Sequence, residues 1–226
     1  MLAVITARGG SKRIPHKNIK EFCGKPILAY SIEAAQSAQI FDEIMVSTDD
    51  AEIAAVAEHY GASVPFLRSA ETSDDFADTD TVLREVVQEY QNRGKEVEHL
   101  CCLYPTAPFV TGDTLRSAYE LFQKTKADEL VPVVRYSYPP QRGFVLEGAE
   151  LHYRWPEYKN RRSQDIEPIY HDAGQFYFMR MRALFSSFED IHKRMAYILD
   201  EMQVQDIDTI EDWELAELKF RISRRM

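Results

Sequence analysis

The sequence predicts an α/β fold: a mostly parallel sheet with helices on both faces, carrying an inserted β-hairpin. Leu2 to Thr6 is a continuous apolar run without alternation, the pattern of a strand buried on both faces. Runs of this kind alternate with segments of helical period as far as Val134, which implies right-handed crossovers between parallel strands. From Tyr136 to Glu157 that alternation gives way to two short β runs about a turn.

After the first strand, a helix is predicted from Pro26 to about Ser37, with Ile27, Leu28, Ile32, Ala35 and Ala38 at helical spacing. Glu43 to Ser47 reads as the second strand. Asp50 then caps a helix through Ile53, Ala54, Val56, Ala57 and Tyr60, which Gly61 stops. Ser63 to Leu67 is expected to be a short third strand. The acidic stretch Glu71 to Asp80 leads into a helix bearing Val82, Leu83, Val86, Val87 and Tyr90. His99 to Tyr104 is a buried strand ending near Pro105 and Pro108, and Thr111 or Asp113 starts a helix through Leu115, Ala118, Tyr119 and Phe122. A strand follows at Glu129 to Val134. The hairpin pairs Gly143 to Leu146 with Leu151 to Tyr153 about Glu147-Gly148. Gly174 to Met179 and Met195 to Leu199 return to strand, and Thr209 caps a last helix with Trp213, Leu215, Ala216, Leu218 and Lys219. Ligands of such sheets bind beyond the carboxyl ends of the strands.

The 226 residues suit one large domain spanning 1–226. Apolar residues at 45% and charged residues at 28% are ordinary globular values and exclude a disordered or fibrous chain. No window reaches the roughly 18 uninterrupted apolar residues of a membrane helix. The apolar start runs into Arg8, Lys12, Arg13 and Lys17, the reverse of a signal peptide's charge order, so a cytoplasmic protein is expected. Cys23, Cys101 and Cys102 read as reduced thiols, because neighbours on a strand point to opposite faces. A net charge of −10 argues against nucleic acid as a partner.

Against that charge, Arg8 to Lys25 holds six basic residues and one acid, where an even spread of the chain's 27 would place about two. The segment Arg8-Gly9-Gly10-Ser11-Lys12-Arg13, continuing to Lys17 and Asn18, has the chemistry of a phosphate cradle. Glycines let backbone N–H groups approach phosphate oxygens, Ser11 can donate, and the cations supply charge. Neither the dinucleotide fingerprint nor the Walker spacing is present. A solvated basic loop with a glycine turn is the plainer alternative.

Asp206-Ile207-Asp208 sets two carboxylates on one side of an extended segment, where they could chelate Mg²⁺ or simply cap the next helix and carry surface charge. Arg68 is either a surface charge or a partner for Glu71, Thr79 is by default a helix N-cap, and Asp49 reads as a cap of the following helix. Gln141, Arg142, Arg162, Gln164, His171 and Gln175 form a polar set around the hairpin. Such side chains recognise the carboxylate, hydroxyl and amide groups of a sugar acid, or form an ordinary polar rim. Phe176, Tyr177 and Phe178 read as core.

Arg8-Gly9-Gly10-Ser11-Lys12-Arg13-Ile14-Pro15 with Lys17-Asn18, followed by Gly24-Lys25-Pro26, resembles the opening of the cytidylyltransferases that activate sialic-acid-like sugars. The resemblance continues through Val46-Ser47-Thr48-Asp49, Pro65-Phe66-Leu67-Arg68, Tyr104-Pro105-Thr106-Ala107-Pro108 and Gln205-Asp206-Ile207-Asp208-Thr209, and so spans nearly the whole chain. Tyr104 and Ala173-Gly174 depart from the Gln and Asn-Gly typical of acylneuraminate enzymes. With Arg162-Ser163-Gln164-Asp165 and His171 to Tyr177, they turn the expected sugar toward pseudaminic acid. N-acetylneuraminate, legionaminate and ketodeoxyoctonate stay as alternatives, as does a non-catalytic nucleotide-binding protein on the same fold.

The resemblance implies a Rossmann-like, nucleotide-diphospho-sugar transferase-like fold and attack of a sugar acid's anomeric hydroxyl on the α-phosphorus of CTP. It implies catalytic roles for Arg8, Lys17, Asp206 and Asp208, with Mg²⁺ on the two aspartates. Nucleotide contacts are implied for Arg8, Gly9, Gly10, Ser11, Lys12, Lys17, Asn18, Arg68 and Thr79. Contacts to the sugar acid are expected from Tyr104, Gln141, Arg142, Arg162, His171 and Gln175. It further implies a homodimer, with the hairpin at about 136–158 packing on the second subunit. No residue stands out as a general base.

Overall fold

A computed structural model describes residues 1–74, 77–187 and 190–223. β1 (Leu2–Thr6), β4 (Glu43–Ser47), β5 (His99–Leu103), β6 (Glu129–Arg135), β10 (Phe176–Arg180) and β11 (Arg194–Leu199) form a sheet in the order β11-β6-β10-β5-β1-β4. β1 runs parallel to β4 and β5, and β11 parallel to β6, while β10 enters antiparallel between β5 and β6. β9 (Tyr170–Asp172) adds a short antiparallel pairing to the end of β6. Because β10 is antiparallel to both neighbours, β1, β4, β5, β6 and β11 all deliver their carboxyl ends to one edge.

The pleat divides the core. Ala3 and Ile5 face one side with Leu28, Ile32 and Ala35 of α1 (Ile27–Ala38), Ile53 and Ala57 of α2 (Ala51–His59), and Leu115, Ala118 and Phe122 of α4 (Gly112–Thr125). Leu2 and Val4 face the other with Leu83, Val86 and Val87 of α3 (Thr79–Asn92) and Ala183 and Leu184 of α5 (Met181–Leu184). Cys101 and Cys102 fall on opposite faces, free and fully buried; burial pushes the Cys102 thiol up to about 12. A third cluster packs Phe22 and Tyr30 edge-to-face with Trp213 and Phe220 of α6 (Ile210–Ser223), fixing the C-terminal helix against the start of α1.

Several expectations need correction. Ser63 to Leu67 is not a strand: it makes a single parallel bridge from Ser63 to Met45, and Pro65, which has no N–H to donate, ends the pairing. Thr79 is the first residue of α3; the cap is Asp78, whose carboxylate accepts from Thr81 N at 2.7 Å. Asp50 does cap α2, and Thr111 caps α4. Some short elements escape the sequence pattern, among them β9, α5 and a miniature hairpin of β2 (Glu21–Phe22) and β3 (Lys25–Pro26), whose turn residues Cys23 and Gly24 both take positive φ. The inserted hairpin is present as β7 (Phe144–Glu147) and β8 (Glu150–Tyr153), with nearly all of its residues exposed. Of the acidic stretch Glu71 to Asp80, residues 75–76 lie outside the described residues. No helix of the described residues is long and apolar enough to cross a membrane.

Candidate active site

The basic loop leaves β1 at the common carboxyl edge and folds back on its neighbours. Gly9 N donates to Asp49 Oδ1 at 2.8 Å, and a Cβ on Gly9 would lie 2.9 Å from that of Asp50, so only glycine lets the loop seat against the start of α2. Gly10 faces open space. Buried Asn18 donates to the Arg8 carbonyl at 2.8 Å and staples the far end of the loop to its beginning. Lys17 opens a 3₁₀ turn behind His16, which holds φ 52°.

Facing this loop, Asp206 and Asp208 follow β11. Ile207 between them is buried with Phe22 and Trp213, so the two carboxylates turn the other way. Thr209 and Asp212 cap α6 reciprocally: Asp212 N donates to Thr209 Oγ1 at 3.2 Å and Thr209 N to Asp212 Oδ2 at 2.8 Å. Asp208 N also donates to that carboxylate, at 3.1 Å, which pins the segment. Arg13 Nη2 reaches Asp208 Oδ1 at 2.7 Å; Lys17 Nζ donates to the Ile207 carbonyl at 2.7 Å and lies 3.8 Å from the same Asp208 oxygen. Burial pulls the Lys17 ammonium below its ordinary range, with Arg13 and Arg8 pushing the same way against Asp208 and Asp206. Burial, then Asp208, raises the Asp206 carboxyl.

Arg8, Ser11, Lys12, Arg13, Lys17 and Asn18, with Pro105 and Thr106 after β5, line a cavity of about 420 Å³. Arg8, Thr6 and Pro105 also border a second cavity of about 290 Å³, walled by Arg68, Ala77, Thr79, Val82 and Tyr104. Arg68 is not a surface charge. It is 8% exposed and donates through Nε to Ser47 Oγ at 3.1 Å and through Nη2 to the Ser47 carbonyl at 2.8 Å. Thr79 Oγ1 meets the Tyr104 hydroxyl at 3.3 Å. One lobe is therefore strongly cationic and the other compact with mixed walls, the division needed for the phosphates and the nucleoside of a nucleotide.

The expected sugar contacts are less gathered. Of that set only Tyr104 borders either cavity. Gln141 is buried, with Nε2 on the Glu167 carbonyl at 2.9 Å, and Gln175 is 1% exposed, with Nε2 on the Ala173 carbonyl at 3.2 Å; the Oε1 atom of each has no partner. Arg142 donates to Ser163 Oγ, Arg162 pairs with Asp165, and His171 Nδ1 lies 2.8 Å from the Asp172 carbonyl oxygen. Neither spacing nor periodicity marks Asp49 as the Gly9 acceptor, the Arg13 contact to Asp208, or Tyr177, whose hydroxyl leaves the core to donate to Asp172 at 2.8 Å.

No cluster of three or more His, Cys, Asp or Glu side chains among the described residues is placed to hold a metal ion. Two carboxylates, partly buried and mutually repelling, nevertheless suit a hard divalent cation that takes its remaining ligands from water and phosphate, the usual habit of Mg²⁺.

Residues 2–224 match the family model described as Cytidylyltransferase. The chain is 43% identical over 225 residues to the pseudaminic acid cytidylyltransferase of Campylobacter jejuni subsp. jejuni serotype O:2, covering 98% of this chain and 97% of that protein. It is 34% identical over 227 residues to the CMP-N,N'-diacetyllegionaminic acid synthase of Legionella pneumophila, covering 96% and 94%. Among solved structures it resembles CMP:2-keto-3-deoxy-manno-octonic acid synthetase complexed with CTP, at a TM-score of 0.71 and 16% identity over 100% and 99% of the two chains, which shows a shared fold.

Proposed function

Because the chain belongs to the cytidylyltransferase family, we propose that it transfers CMP from CTP to the anomeric hydroxyl of a nine-carbon sugar acid, pseudaminic acid, releasing pyrophosphate. The observation that carries this reading is the cationic cavity itself, with Arg8, Lys12 and Lys17 on one wall and Asp206 and Asp208 beside it. Identity of 43% over nearly the full length of a pseudaminic acid enzyme supports the choice of sugar.

The chemistry is mainly positioning and charge neutralisation. Arg8, Ser11, Lys12 and Lys17 bind the phosphates, while the backbone at Gly9 and Gly10 approaches them closely. Asn18 keeps the loop closed through its bond to the Arg8 carbonyl. Arg68, Thr79 and Tyr104 wall the nucleoside, and Tyr104 also meets the incoming sugar acid. Asp206 and Asp208 would hold Mg²⁺, which when bound supplies Lewis-acid neutralisation of phosphate charge. The test is pyrophosphate release with Mg²⁺ across pseudaminic, legionaminic, N-acetylneuraminic and ketodeoxyoctonic acids, each with CTP, ATP, GTP and UTP. CTP with pseudaminic acid is expected to be the preferred pair. Preference for another sugar would discard the specificity, and silence with every pair would favour a non-catalytic nucleotide-binding protein.

The projecting hairpin supports a homodimer in which β7 and β8 cover a second subunit. Leu146 is 70% exposed and Leu151 58%, with Phe144 and Trp155 beside them, a surface that two strands alone do not stabilise. Light scattering is expected to give twice the chain mass; a monomer at working concentration would contradict it. Free cysteines support a reducing, cytoplasmic setting.

A further inference from the structure

A row of hydroxyl and carboxylate groups crosses the carboxyl edge of the sheet beyond the nucleoside wall. Thr79 Oγ1 touches the Tyr104 hydroxyl at 3.3 Å, the Tyr104 and Tyr177 rings tilt together with centroids 5.6 Å apart, and the Tyr177 hydroxyl donates to Asp172 Oδ1 at 2.8 Å. The same Asp172 oxygen accepts from Gly174 N at 2.8 Å, and Gly174 has φ +60°. The turn from β9 into β10 thus fixes the direction of the carboxylate, and the carboxylate fixes the phenol. Burial first, then Tyr104 and Asp172, push the Tyr177 hydroxyl far above the ordinary tyrosine range, so it stays a donor.

Sheet order gives the row its direction. β10 and β9 lie on the flank of β5 away from β1 and its basic loop. An in-line displacement needs the nucleophile opposite the leaving group. With pyrophosphate held by the β1 loop, the sugar acid has to approach from the β10 flank, past Tyr177. This rests on the transferase reading above. From this geometry we propose that Asp172 is a positioning residue: by accepting from Tyr177 it sets the orientation of the Tyr177–Tyr104 pair that the sugar acid meets. It thereby governs affinity for the sugar more than affinity for CTP.

The experiment is steady-state kinetics of Tyr177→Phe, Asp172→Ala, the double variant and Asp172→Asn, with melting temperatures as a folding control. Tyr177→Phe and Asp172→Ala should each raise KM for the sugar acid about tenfold while KM for CTP stays within about twofold, the loss of one well-made hydrogen bond. The double variant should be no worse than the weaker single, because the two residues act as one unit. Asp172→Asn keeps an oxygen that can accept from both donors and should stay within about threefold of wild type. A sugar KM for Tyr177→Phe indistinguishable from wild type, or single effects that multiply in the double, would overturn the proposal. If Asp172→Ala fails to fold, Tyr177→Phe, which removes one oxygen and keeps the ring, decides by itself. Absence of turnover by the wild type with every sugar acid would instead sink the transferase reading, and this inference with it.

Discussion

Lys17→Ala is expected to lower kcat/KM by about 10²–10³, the cost of losing one preorganised charge at a transition state, while leaving the fold nearly intact. The ammonium is held at the cavity by the Ile207 carbonyl and the nearby Asp208 carboxylate, on a turn that Asn18 and His16 fix from either side. Partial burial makes the charge more effective toward a phosphate, since less water screens it. The structural cost is one carbonyl left without its donor at a site that still reaches solvent, about 1 kcal/mol. Turnover at saturating CTP and the melting temperature should therefore separate. Near-normal turnover would remove Lys17 from the machinery, and a collapsed melting temperature would make its role structural.

Asp206→Asn and Asp208→Asn should each reduce turnover by a similar factor of about 10²–10³, with different structural consequences. Asp208 anchors Arg13 and lies beside Lys17, so its neutralisation loosens the loop. Asp206 is partly buried beside a like charge, so its ionised form costs the fold stability. Removing that charge should hold or raise the melting temperature in the absence of metal while activity falls, the mark of a site that trades stability for function. The wild type should gain thermal stability from Mg²⁺ with CTP, and both variants should lose that gain. A melting temperature that drops in Asp206→Asn, with activity retained, would contradict the assignment of the pair.

The strands and helices that bury a continuous apolar face were legible in the sequence, because periodicity reports burial directly: β1, α2, α4 and the hairpin lie close to where the pattern places them. Periodicity carries no direction, so the antiparallel entry of β10 between β5 and β6 could not be read from it. Nor could the three residues of β9, too few to show a repeating pattern. Of the site, the cluster of charge after β1 stood out by density, and the Asp-Ile-Asp alternation indicated a shared side. Pairwise contacts did not stand out. Arg68 looks like any arginine after a short apolar run until Ser47 is seen beneath it, and Gln175 looks like a surface amide until its 1% exposure is known. Tyr177 sits between two core phenylalanines, and only the arrival of β9 beside β6 brings Asp172 to its hydroxyl.

Transfer of CMP to the sugar hydroxyl is tested by following the phosphorus of CTP by ³¹P NMR, with Mg²⁺, with and without pseudaminic acid. CTP alone should not react, and with the sugar acid a new phosphodiester signal and pyrophosphate should appear in equal amounts. CMP and pyrophosphate forming at the same rate whether or not the sugar acid is present would contradict it, because water and not the sugar hydroxyl would then be the acceptor.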